Sequence, residues 1–205
     1  LPHELVMMAE TLGYDVLFIT DHNKVWPSHA LAGLREWSTR LIILPGIEIS
    51  LPESMDILVL GASNPIYETL TTPGEIFAQA SADGCLTVVA HPFRWADKLP
   101  EYCRLADAIE LRTCNHPTQE QARQAQAYSE RHQLAGLYAS DAHGLNFLNR
   151  FWIETEKPFK TPEEFRRIVL TGSYENKMRE DSEVLPPAYK AATRDELTIL
   201  EKAAS

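Results

Sequence analysis

Short, almost wholly apolar runs recur along this chain, and most of them stop at an acid or a histidine. The run 16–20 ends in Asp21-His22, and 41–50 carries Glu48 near its end. Residues 86–90 are followed by His91, 107–111 by Asn115 and His116, and 136–140 by Asp141 and His143. Runs at 55–61 and 151–155 complete the set. Strands buried on both faces read as continuous apolar stretches, and they need helices to cover them. Helical patterns do stand between the runs. Leu5, Met8, Ala9 and Leu12 are helically spaced over 2–12, and Leu31, Leu34 and Trp37 follow Pro27-Ser28 in the same way. Thr72, Pro73 and Glu75 form a capping-box start, Thr118 and Gln121 open a helix to His132, and "TPEEF" begins one that stops at Gly172. Alternating strands and helices predict a mainly parallel α/β fold. Pro45-Gly46 is expected to interrupt the run 41–50.

Other features narrow the class. The chain has 205 residues, 44% hydrophobic and 23% charged, enough for one sizeable core. No apolar run approaches the ~20 residues that cross a bilayer, so no membrane partner is expected. A net charge of −10 disfavours non-specific nucleic-acid binding, leaving a nucleic-acid end as the one such substrate expected. Cys85, Cys103 and Cys114 show no CxxC spacing and read as free thiols of a cytoplasmic protein. Residues 179–205 read as a linker and tail, with a short helix over 193–204.

In α/β barrels the carboxyl ends of the strands meet on one face, where active sites are built. Imidazole nitrogens and carboxylate oxygens gathered there are the donors that hold hard or borderline divalent metals. Any one of these residues alone reads equally as a cap, a turn or a surface charge. Together they do not, because four of the seven histidines follow a strand, three of them accompanied or mirrored by a carboxylate at another strand end.

"ITDHN", "PGIEIS", "AHPF" and "SDAH", in that order, resemble the polymerase-and-histidinol-phosphatase (PHP) domain family over residues 2–178. The resemblance implies a distorted (β/α)7 barrel over 1–178 and phosphoester hydrolysis with two or three divalent metals (Mn, Fe or Zn). It implies that Glu48 bridges two metals, that His91 binds one and Asp141 the other, and that His22 and His143 hold a third with Asp21 alongside. Two departures accompany it. The family's first strand, ending in His-x-His, is expected upstream of Leu1, and His3 does not replace it. Leu58 stands where many members place a histidine, so Asp56, two residues earlier on the same side of the strand, and His116 are further candidate ligands.

The activity expected is that of a metal-dependent phosphoesterase acting on a small phosphomonoester or nucleotide-type phosphoester through a hydroxide held between two cations. Asp141, His143 or a metal-bound water would supply the leaving-group proton. Arg94, Lys24 and Asn115 are expected to line the mouth and bind substrate. Two other readings stay open: a degenerate barrel serving as a binding or structural module, and a metal-dependent hydrolase of C–N bonds.

Overall fold

Two strands set the frame. Val16–Ile19 (β1) lies parallel to Ile42–Leu51 (β2), and β2 then turns antiparallel to Met55–Leu60 (β3). Leu86–Ala90 (β4) is antiparallel to β3, and Ala108–Arg112 (β5) and Ala135–Tyr138 (β6) continue the sheet in parallel. The protein, a computed structural model, is described over residues 2–114 and 118–179. The tail helix expected at 193–204, together with Asn115 and His116, lies outside the described residues.

The six strands run in the order β1-β2-β3-β4-β5-β6, and Phe151–Thr155 (β7) pairs antiparallel with Tyr174–Met178 (β8) as a separate ribbon. Three of the five ladders in the large sheet are parallel, as the strand–helix alternation predicts; β3 is the exception and opposes both its neighbours. Among the described residues five α-helices cover the sheet: α1 (Pro2–Thr11), α2 (Ser28–Arg35), α3 (Pro73–Ala82), α4 (Gln119–His132) and α5 (Pro162–Thr171). Thr72 accepts the Glu75 N–H while Glu75 reaches back to Thr72, the expected capping box. Trp37 falls beyond the end of α2 and is 55% exposed, stacked on His3 rather than packed along the helix. No helix among the described residues is long and apolar enough to cross a membrane.

Pro45-Gly46 does not interrupt β2. Pro45 is the last residue opposite β1, facing Ile19, and Gly46 is the first opposite β3, facing Leu60. The residue without an N–H therefore stands where the strand changes partners, which is where a sheet tolerates it. Gly46 is needed for close approach, since a Cβ there would lie 2.8 Å from Thr20 Cγ2 and 3.3 Å from the Val59 carbonyl oxygen.

Period-two alternation sorts the side chains. Ile47, Ile49, Ile57, Val59, Val89, Ile109 and Leu111 face outward into a core shared with Ile76, Ala80 and Ala125 of α3 and α4. Leu60, Leu86, Val88, Ala108 and Leu137 face inward, and Phe165 and Val169 of α5 close that interior. The sheet thus curls as a half-barrel about an apolar centre. Glu48 and Glu110 alternate with outward-facing isoleucines and leucine, so both point to the inner side.

Candidate metal centre

Beyond β1 the chain runs on alongside β2. His22 bridges Glu48 in parallel, the Asn23 N–H donates to the Glu48 carbonyl (2.8 Å), and the Glu48 N–H donates to the Asp21 carbonyl (3.2 Å). Asn23 takes a left-handed backbone (φ 53°), and its Oδ1 accepts the Ser50 N–H at 3.0 Å. These bonds lock the two segments in register, so His22 and Glu48 are neighbours at the rim.

Asp56 reaches the same rim from the opposite chain direction. Because β3 opposes β2 and β4, its first residues lie beside their last: Asp56 pairs with Ser50 and with Ala90. One donor atom from each of His22, Glu48 and Asp56 lies within 4.8 Å of the others. His91 follows β4 with φ 26°, its Nε2 2.9 Å from Glu48 Oε1 and 3.6 Å from Asp56 Oδ2. The His143 ring stands 5.9 Å from that of His22, and His143 Nδ1 is 3.4 Å from Asp141 Oδ1. Asp141 is also left-handed (φ 45°).

Glu110 is the residue at this rim that the sequence reading missed. It lies in the middle of β5, 2% exposed, and its Oε2 accepts the His91 N–H at 2.6 Å. Burial first, and then the charge of Asp141, push its carboxyl up to about 8 against the pull of His91. At His91 burial acts downward, but the Glu48 hydrogen bond and the charges of Glu110, Glu48 and Asp141 outweigh it and raise the imidazole to about 9.

Asp21 accepts a hydrogen bond from the Trp26 indole. Leu58 packs with the apolar interior, so that strand offers no nitrogen to the rim. Arg94 lies over the Trp95 ring at 4.8 Å, and its N–H closes a turn onto the His91 carbonyl at 3.4 Å. Lys24 pairs with Glu68 at 3.3 Å, and Glu68 also accepts the Val25 N–H.

No family model matches the sequence, and no curated protein matches it. Solved structures do. A two-domain protein from Bacteroides vulgatus containing a predicted PHP-like metal-dependent phosphoesterase aligns with a TM-score of 0.65 at 14% identity, over 86% of this chain and 60% of its own. A protein of Bifidobacterium adolescentis, provisionally assigned as a metal-dependent phosphoesterase, aligns with a TM-score of 0.55 at 16% identity, covering 82% of this chain and 89% of that one. The chain shares their fold. An amidohydrolase from Chromobacterium violaceum, with bound sulfate and no metal, aligns with a TM-score of 0.55 at 14% identity, over 85% of this chain and 92% of its own. At such identities the likeness speaks for the fold, and this chain's chemistry has to be argued from its own residues.

Proposed function

We propose that this chain is a metal-dependent phosphoesterase of PHP type, acting on a small phosphomonoester or nucleotide-type phosphoester. The observation that carries the proposal is the convergence of His22, Glu48 and Asp56 within 4.8 Å, with His91 2.9 Å from Glu48. Two strands and two post-strand turns deliver these donors to one rim, and their mix of nitrogen and carboxylate oxygen suits Mn, Fe or Zn. Glu48 neighbours both His22 and His91, and Asp56 lies beside both Glu48 and His91, so Glu48 would be the carboxylate shared if two ions bind. Asp141 and His143, with Asp21, would complete the holding of two or three ions. Bound there, divalent cations would supply hydroxide at neutral pH and draw charge from the phosphoryl oxygens.

The chain's own residues do the rest. Glu48, Asp56 and Asp141 put three carboxylates at one rim, and an anionic ester approaches such a rim once cations offset its charge. Arg94, steadied over Trp95, holds its guanidinium beside the turn that carries His91, where it can bind a phosphate. Asp141 and His143, 3.4 Å apart, would be the groups that pass a proton to a leaving alkoxide. The three free cysteines suit a reducing, cytoplasmic setting. The fold shared with an amidohydrolase keeps C–N hydrolysis as the second reading; Arg94 favours phosphate over it.

The test is phosphate release from a panel of phosphomonoesters and nucleotides, run beside an amide panel, with Mn2+ and with chelator. Mn2+-dependent phosphate release that falls to background in Glu48→Ala is expected. Turnover surviving Glu48→Ala would overturn the assignment, and amide cleavage without phosphate release would replace it with the second reading.

A further inference from the structure

We propose that Glu110 is the positioning residue of this centre: its buried carboxylate holds the left-handed turn at His91 and thereby aims the imidazole at Glu48. The proposal rests on the metal-centre reading above and adds to it a residue that supplies no ligand atom.

Glu110 is 2% exposed and flanked in β5 by Ile109 and Leu111, both in the outer core. A carboxylate in such a place is unfavourable unless something requires it. Its donor is the backbone N–H of His91, at 2.6 Å. The parallel ladder between β4 and β5 registers Val88 on Ala108 and Val89 on Ile109 and stops there. Ala90 ends β4, and at His91 the chain leaves strand geometry with φ 26°, a conformation that side chains with a Cβ rarely adopt. The Glu110 side chain takes up the N–H that a continued ladder would have used, and so holds the strained turn. The turn in turn fixes His91 Nε2 2.9 Å from Glu48 Oε1. Glu110 Oε2 is engaged by the His91 N–H, so Glu110 acts through His91. Groups of this kind, which orient ligands from behind, typically change metal affinity by about 10–100-fold when lost.

Reach, not charge, is the property this role needs, and two conservative variants separate the two. Glu110→Gln keeps the length and an acceptor oxygen but loses the charge. Glu110→Asp keeps the charge but is one methylene too short to reach the His91 N–H. Mn2+ affinity is read by calorimetry, and protection of the His91 amide by hydrogen exchange in the metal-free protein. The expected result is Glu110→Gln close to wild type in both, and Glu110→Asp weaker for Mn2+ by about 10–100-fold with the His91 amide unprotected. Glu110→Asp matching wild type, or Glu110→Gln as weak as Glu110→Asp, overturns the proposal while leaving the metal centre standing. A wild-type chain that binds no Mn2+ removes the centre itself and this proposal with it.

Discussion

At His91 two opposing effects meet, and their balance predicts how the metal-free protein responds to pH. Burial disfavours the charged imidazole, and the surrounding carboxylates favour it more strongly, leaving it raised from 6.5 to about 9. A group raised on folding contributes its full stability below its unfolded value and loses it as pH rises through the folded one. Glu110, raised from 4.5 to about 8, acts in the same sense. Metal-free protein should therefore lose thermal stability from about pH 4.5 to about 9, through Glu110 up to about 8 and through His91 from 6.5 to about 9. Divalent ions require their ligands deprotonated, so their binding releases protons and strengthens across that window, and added Mn2+ should flatten the decline. Melts with and without Mn2+ check this; metal-free stability that rises with pH would contradict it. His22, Glu48 and His91 were legible in the sequence because each stands at or just past the end of an apolar run. Asp56 was legible through the two-residue period of a strand. Glu110 was not, because it sits inside the run "DAIEL" rather than past its end, where Asn115 and His116 stand. Lys24, expected at the mouth, stands instead against Glu68.

Among the elements, β2 decides how the rim is built. It borrows one partner on each side of Pro45-Gly46, parallel β1 before and antiparallel β3 after. Local punctuation suggested a break there because Pro and Gly usually end strands; that they mark a change of partner becomes visible in the ladders, which no local pattern encodes. The antiparallel course of β3 has the same character, and it is what brings Asp56 in from the beginning of its strand. Strand β8 was missed for a different reason: "YENKM" has no apolar run. Its polar side chains serve the edge of β6, where Tyr174 Oη and Asn176 Nδ2 both donate to the Gly136 carbonyl. Because Gly46 lies against Thr20 and the Val59 carbonyl, Gly46→Ala should cost about 1–3 kcal/mol through overpacking. It should also weaken Mn2+ binding, since β1 and β2 hold His22 against Glu48. Urea denaturation gives the first effect and calorimetry the second; a variant unchanged in stability would show that the contact relaxes freely.

For the molecule as a whole, the alternation of apolar runs and helical patterns was enough for the α/β class and for the side on which the chemistry collects. Helix positions followed from caps and periodicity, as at Thr72 and Thr118. The curl of the sheet was not legible, because it depends on which faces Phe165 and Val169 of α5 meet across the interior. Carboxylates gather around His91 at the rim. The account stands or falls on whether cations go there. The most direct measurement is anomalous diffraction at the zinc edge from crystals of the protein grown with Zn2+. A peak about 2.0–2.2 Å from donor atoms of His22, Glu48 and Asp56 is expected, with a second beside His91. Zinc confined to surface histidines such as His29 or His132, with the rim empty, would contradict it.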